Sequence, residues 1–423
     1  MNDSHNKIRV AVATLGARRH YETPYLLNEA GYLERFFTDT YIGNKPWLEK
    51  LLLTLQVLVR SRGLARLLGR RCNLPRGKVV SFDWFGAWYV LAQRAGKKRG
   101  ELEEVFCNAA IIFAEKIKKK GLTGCDAVIG CNGASAELFE YANSLGLYCI
   151  LDQTSNPKPI EDQLTTEEHR HWKDWIPDSD DFLQKSLLKE REFREWELAD
   201  KIIAGSLFVK EGLMKCGVPE KKITVIPSRI DYSKFREPHR SSFDGKRPLR
   251  VLFVGRVSVM KGVPYLLEAL RLIESGRIEA RLVGNISIVP KQIIAHSDIA
   301  NFVGPVPRNQ VSEHYEWADV FCFPSITEGS AGVTYEALAA GLPVITTPNA
   351  GSIVRDGIDG FIVPIRDAKS LAAALKRYLE KPELLKDHQE NANSLSRGAR
   401  VAPSETNLVR FMDNLTKKLR TED

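Results

Sequence analysis

Between Ala318 and Thr347 a short apolar strand, a glycine-rich loop, a helix and a second apolar strand follow one another without a break. Residues 318–325 (ADVFCFPS) read as a buried parallel strand closed by Pro324, and residues 333–340 (VTYEALAA) as a helix stopped by Gly341 and Pro343. Val344 to Thr347 then returns to strand. The loop opens onto a helix start, where unpaired N–H groups and the helix dipole favour a phosphate or a hydroxyl-rich ligand. Glu328 stands at the strand exit and Glu336 one turn into the helix. An anion site gains nothing from acids, so this pair reads as acceptors for ligand hydroxyls, a sugar's on one side and a ribose's on the other. The plain alternative is two solvated acids on a helix face.

The same alternation fills the chain. Residues 8–14, 127–131, 148–151, 201–204 and 223–226 are apolar runs between helical patterns, one of them a helix expected from Pro24 to about Phe36. Residues 227–248 turn Pro-, Ser- and charge-rich, as a linker does. The alternation restarts at 250–254, 280–283, 299–303, 320–323, 344–347 and 360–363. Alternating strands and helices imply mainly parallel sheets covered on both faces. The expected fold is α/β: two doubly wound, Rossmann-like domains facing across a cleft at the carboxyl ends of their strands. The boundaries expected are 1–226, a linker at 227–248, and 249–399, with an amphipathic helix at 400–423 packing back on the first domain.

Composition is that of a globular chain, 43% hydrophobic and 27% charged, which excludes wholesale disorder. The seven cysteines are scattered and form no CxxC, as expected of reduced thiols in a cytoplasmic protein and not of a disulfide framework or zinc site. The polar start, MNDSHNKIRV, leads to no expected signal peptide, and Leu51 to Val59 is too short to span a bilayer. Residues 1–120 hold 22 Lys and Arg against 11 Asp and Glu, and the other 303 residues carry a net −3. From Arg60 to Lys78 seven cations (60, 62, 66, 70, 71, 76, 78) fall with no acid between them, beside the leucines of 51–68. Such a segment suits an anionic membrane face. It also fits a solvated helix face, and less well a nucleic acid, since no nucleic-acid motif accompanies it.

The second half begins with Gly255-Arg256 at a strand end and Lys261-Gly262 at a helix start. Arg offers a planar fork and Lys a point charge, a combination suited to a diphosphate. With the 328–336 motif in the same domain, the chain resembles the retaining glycosyltransferases of family 4, the group 1 type with a GT-B fold. The resemblance runs through residues 195–365. It takes in ELAD at 197–200, CGVP at 216–219, ITVIP at 223–227 with Asp231, Gly255-Arg256, Lys261-Gly262, Leu282 to Gly284, Phe302 to Gly304, Glu328 to Glu336, and Asp356-Gly357 with Gly360.

The resemblance implies that Arg256 and Lys261 hold the donor diphosphate and that Glu328 contacts the transferred sugar. It places Glu336 on the ribose hydroxyls. Gly255 and the backbone of Gly329, Ser330, Ala331, Gly332 and Val333 line sugar and phosphate, and the turn from Gly304 to Val306 borders the base. It implies no cofactor and no metal: the donor is a UDP-, GDP- or ADP-sugar, and the acceptor a saccharide or lipid-linked saccharide of surface polysaccharide assembly. The site is cytoplasmic, on the inner face of a membrane where the basic segment engages one. Two departures stand out. The interdomain segment reads PSRID (227–231) without the family's glycine. Where many members carry a histidine, this chain has LDQTS (151–155), so either Asp152 or Gln153 takes that place. His20, His169 and His171 are expected in a turn and a loop, as poor substitutes.

The expected chemistry is metal-independent transfer with retention, the leaving diphosphate stabilised by Arg256, Lys261 and the helix start at Gly332. Two carboxylates on one helical unit do not flank a scissile bond as a glycosidase pair does. Asp178-Ser179-Asp180 matches the Asp-x-Asp of metal-dependent transferases, but in a polar loop it reads as a cap for a helix over 182–198. No G-x-G-x-x-G follows a first strand, against a dinucleotide oxidoreductase. The non-enzyme alternative is a catalytically silent binding or scaffold subunit of a polysaccharide assembly complex.

Overall fold

The computed structural model describes residues 7–59, 62–96, 99–177, 186–227, 242–398 and 403–421. Two parallel sheets organise them. The first runs β3-β2-β1-β4-β5-β6-β7, with β1 Val10–Thr14, β2 Leu33–Thr38, β3 Val79–Ser81, β4 Ala127–Cys131, β5 Tyr148–Gln153, β6 Lys201–Ala204 and β7 Ile223–Val225. The second runs β10-β9-β8-β11-β12-β13, with β8 Leu249–Val254, β9 Ile278–Val283, β10 Asn301–Gly304, β11 Val320–Phe323, β12 Val344–Thr346 and β13 Gly360–Ile362. Helices cover both faces. The central strands are apolar because neither of their faces meets water: β1, β4, β11 and β12 are buried at every residue, whereas β2 and β9 carry charged residues. The two doubly wound domains expected are therefore present.

Several local expectations change. The helix expected from Pro24 to Phe36 is Glu22–Glu29, ended at Gly31 in the left-handed region (φ 75°), and the rest is strand β2. Phe36 and Phe37 are buried in different clusters, one on each side of the sheet, which hides the alternation that marks a strand. Strand β3 was not anticipated; three residues beside a basic run carry too little pattern. The leucines and the basic run fall largely on helices Pro46–Val59 and Arg62–Leu68 and the 3-10 turn Arg76–Lys78. The helix expected over 182–198 is Leu187–Leu198, preceded by Ser186. Asp178, Ser179, Asp180, Asp231 and residues 228–241 of the linker lie outside the described residues. His169 and His171 sit in the last turn of helix Lys158–His171, not in a loop.

Two segments cross between domains. Helix Pro403–Thr421 returns to the first domain, where Leu408, Met412 and Leu415 join Leu27, Tyr32 and Ile203 in one cluster. In the other direction, the chain after His171 docks on the second domain. Trp175 is buried in that domain's core, and Trp172 packs edge-on against Tyr265 at 5.3 Å. Val289 N–H donates to Trp175 C=O at 3.0 Å.

Candidate functional site

The cations come from the loop after β8. Residues Val259–Lys261 form one 3-10 turn that Gly262 ends in the left-handed region, φ 71°. A Cβ on Gly262 would stand 1.9 Å from Pro324 C=O, so only glycine lets this loop lie against the end of β11. Ile326 N–H and Ser325 Oγ both donate to Met260 C=O, at 3.0 and 3.2 Å, and fasten the two loops. The result brings Lys261 Nζ into an ion pair with Glu328 Oε1, both side chains about three-quarters buried. Glu328 itself is held by its N–H to Asn349 C=O at 3.0 Å.

Arg256, Lys261, Thr327, Glu328 and Gly329 line one cavity of about 720 Å³. Its opposite wall is the first domain: Ser155 and Asn156 after β5, then Glu161, Thr165 and His169 of helix Lys158–His171. These three recur every four residues, one stripe of that helix. Sequence reasoning missed the stripe, although the spacing E-x3-T-x3-H was readable once a helix was assumed. A second hollow, of about 420 Å³, lies between the edge strand β7 and the last helix and holds none of the expected site residues.

The domains touch at the cavity's rim. A Cβ on Gly329 would lie 2.0 Å from Thr154 C=O, so the two backbones meet without a side chain between them. Ser206 Oγ donates to Gly329 C=O at 2.7 Å, and Asn156 Nδ2 to Thr327 Oγ1 at 3.3 Å. Further out, Arg366 is ion-paired with Glu167 and the buried Glu168, and Tyr265 Oη donates to Glu168 Oε2 at 3.0 Å.

The first domain's wall is fixed from behind. Glu195 accepts from Gly133 N–H and Ser135 N–H, each at 2.7 Å; Glu192 accepts from Asn132 Nδ2 at 2.9 Å and Lys158 N–H at 2.7 Å. Burial pushes the Glu195 carboxyl up to about 8 against the pull of its two N–H donors, and raises Glu192 as well. Gln153 is fully buried in the same network, accepting from Trp196 Nε1 at 3.0 Å and donating to Glu192 at 3.1 Å. Asp152 is buried too and faces Arg19 Nη2 at 3.3 Å. Neither Asp152 nor Gln153 lines the cavity. Arg19, His20 and Tyr21 all adopt positive φ (45°, 52°, 64°), and from this turn Arg18 donates to Thr154 Oγ1 at 3.2 Å while His20 meets Arg308 at 3.1 Å.

The remaining expected residues do not line the cavity. Helix Gly332–Ala339 begins where Gly332 is exposed, and Val333 and Glu336 are half-buried along it. Tyr315 Oη donates to Glu336 Oε2 at 3.1 Å; burial and that carboxylate raise the Tyr315 phenol well above its ordinary range. One carboxylate oxygen is thereby held in place. Ser330 Oγ bonds Tyr335 Oη at 2.9 Å, and Ala331 N–H donates to Ala350 C=O at 2.9 Å. Gly255 closes β8 against Phe253 and Phe323, and Val306 follows β10 as a half-buried neighbour of the core. Among the described residues no three His, Cys, Asp or Glu side chains converge as metal ligands.

Comparison with known proteins bears on this geometry. Residues 248–381 match the family described as Glycosyl transferases group 1. The amylovoran biosynthesis glycosyltransferase AmsK of Erwinia amylovora is 31% identical over 180 residues, 39% of this chain and 44% of that protein. The D-inositol 3-phosphate glycosyltransferase of Geodermatophilus obscurus is 31% identical over 213 residues, 44% of this chain and 47% of that one. The chain thus spans less than half the length of these curated relatives. Among solved structures, Anabaena HepE in complex with UDP and glucose covers 98% of this chain and 99% of its own at a TM-score of 0.59 and 14% identity. Sucrose-phosphate synthase of Thermosynechococcus elongatus covers 99% of this chain and 100% of its own at 0.64 and 17%. The fold is GT-B, and the group 1 match supports a glycosyltransferase.

Proposed function

We propose that the chain is a retaining, family 4-type glycosyltransferase that moves a sugar from a nucleotide diphosphate sugar to a saccharide or lipid-linked acceptor of surface polysaccharide assembly. One observation carries this reading: Arg256, Lys261 and Glu328 converge in a single interdomain cavity at the carboxyl edge of the second sheet. As the bond from the anomeric carbon to the diphosphate oxygen breaks, negative charge grows on the leaving group. Arg256 and Lys261 stabilise that charge in a partly dried site. Glu328, oriented by Lys261, accepts hydroxyls of the sugar, and Glu336, oriented by Tyr315, accepts those of the ribose. The acceptor oxygen bonds to the same carbon from the leaving group's face and its proton passes to the departing phosphate, so configuration is kept. The UDP and glucose bound to HepE make UDP-sugars the first donors to test, and the name of AmsK, an amylovoran biosynthesis glycosyltransferase, supports a polysaccharide acceptor. Release of nucleoside diphosphate by the purified chain, with acceptor present, tests the reading. Donor binding without any release points instead to a silent subunit.

Metal independence has its own expected outcome: transfer persists in EDTA. Loss in chelator, restored by manganese or magnesium, would move the chemistry to a metal-bound diphosphate and bring Asp178 and Asp180 back into play.

His169 faces the cations from the other domain, where a ring nitrogen suits a sugar hydroxyl or the acceptor. Its replacement by Ala is expected to lower kcat/KM about tenfold, the worth of roughly one hydrogen bond, with nucleotide affinity and Tm unchanged. A loss of nucleotide affinity or of Tm would place His169 elsewhere.

A further inference from the structure

We propose that helices Pro46–Val59 and Asp83–Ala95 together form a docking face for the surface of an anionic lipid bilayer, with Trp47 and Trp84 as its anchors. The inference goes beyond sugar transfer and stands on separate observations.

Helix Asp83–Ala95 buries Phe85, Gly86 and Tyr89 against the first sheet. Its outward side is apolar as well: Trp84, Trp88 and Leu91 lie at steps of four and three, and are 92%, 43% and 63% exposed. Helix Pro46–Val59 repeats the arrangement. Trp47, Leu51, Leu55 and Val59 recur every four residues on its exposed side, Trp47 at 69%, while Leu52 packs inward with Ile42 and Leu68. A helix apolar on both sides has a second apolar medium to meet. The two stripes belong to one surface, because Lys45 Nζ, at the start of one helix, is ion-paired with Asp83 at the start of the other. Trp47 and Trp84 both stand within a turn of that pair.

Charge selects the occupant. Residues 43–100 hold 13 Lys and Arg and only two acids, Glu49 and Asp83. Both acids are spent internally, Glu49 on Arg71 and Asp83 on Lys45. Exposed Lys50, Arg76 and Arg94 remain in the same segment. Protein interfaces are depleted in lysine, whereas indole rings at the hydrocarbon boundary with cations towards the headgroups are the composition of a bilayer-surface element. The basic run expected from sequence to make this contact is partly committed elsewhere: Arg70 is bonded to the fully buried Asp39, and Arg71 to Glu49. The side chains of Arg62 and Arg66 lie outside the described residues. The tryptophans, not that run, carry the contact.

The test is flotation of the full chain with vesicles of phosphatidylcholine containing phosphatidylglycerol, and with phosphatidylcholine alone, using brominated acyl chains to read tryptophan depth. Wild type is expected to float with the anionic vesicles and to be quenched by the bromines. Trp47→Ser/Trp84→Ser is expected to lose about tenfold or more of its partitioning. Lys50→Glu/Arg94→Glu should lose the part that high salt also removes. Thermal shift by UDP, read in parallel, should be the same in all three proteins, so this proposal and the transfer reading fail separately. Flotation of the double tryptophan variant equal to wild type overturns the proposal. So does absence of flotation by wild type, or tryptophan-dependent self-association without vesicle binding, which would make the face an interface between copies.

Discussion

Lys261→Ala should lower affinity for a nucleoside diphosphate more than Arg256→Ala does, and both should lose roughly ten- to a hundredfold. A hydrogen bond to a charged partner is worth about 1.5–3 kcal/mol, which sets that range. The difference between the two comes from Glu328. Lys261 is its ion-pair partner, so removing the ammonium leaves a largely buried carboxylate in the cavity that must accept a dianionic ligand. Arg256 has no such second role among the bonds seen. It follows that Glu328→Gln, made on top of Lys261→Ala, should recover part of the lost affinity, a coupling that a double-mutant cycle by calorimetry measures directly. Glu336→Ala should also weaken binding, through the ribose, while Glu328→Ala alone should lower transfer with little loss of nucleotide affinity. Wild-type affinity in both Arg256→Ala and Glu336→Ala would mean that the donor lies elsewhere.

Gly329→Ala is expected to cut transfer about a hundredfold or more while nucleotide affinity changes by less than about twofold. The added methyl would sit 2.0 Å from Thr154 C=O and 2.9 Å from the Ser155 Cα, both backbone atoms of the other domain. Neither can rotate away, so the overlap is relieved by parting the domains and not by a change of rotamer. Arg256, Lys261, Glu328 and Glu336, the groups proposed for the donor, all lie in the second domain and keep their geometry. The facing wall, with Ser155, Asn156 and His169, is displaced by about an ångström, and misplacement on that scale costs about a hundredfold in rate. Transfer at the wild-type rate would show that the contact at Gly329 is not part of the working geometry. Loss of cooperative melting would show that it is needed for folding.

The residues proposed for the donor were picked out in sequence for a physical reason, and Arg256, Lys261, Glu328 and Gly329 do line one cavity. Backbone–backbone contacts demand glycine, as at Gly262 and Gly329, and a diphosphate demands cations at a strand end, as at Arg256 and Lys261; such demands leave residue-type traces at fixed spacing. The facing wall, proposed for the acceptor, makes no such demand. It is a helix stripe, Glu161, Thr165 and His169, whose side chains matter only because the helix is pressed across the cleft, and local pattern carries no sign of that. Asp152 and Gln153 were the alternatives for a histidine position, yet Asp152 is paired with Arg19 and the Gln153 amide is consumed by Trp196 and Glu192, on a helix some 40 residues later. Strand β2 was misread because two adjacent phenylalanines buried on opposite faces look alike to any periodicity. The sequence reading of membrane contact rested on the basic run and the leucines of 51–68, since such runs are visible in sequence and solvent exposure of tryptophan is not.

The two crossings of the chain have a consequence for autonomous folding. The second domain completes its core with Trp175, a residue that precedes it by some 70 positions, and the first completes a cluster with Leu408 and Met412 from the far end. Neither lobe is therefore a self-sufficient unit along the linker. A fragment cut at 242 loses an indole from its interior and exposes the seat around Tyr265, and a fragment ending at 227 loses the last helix. Exchange of halves between related chains would succeed only if residues 172–177 are matched to the second lobe and 403–421 to the first.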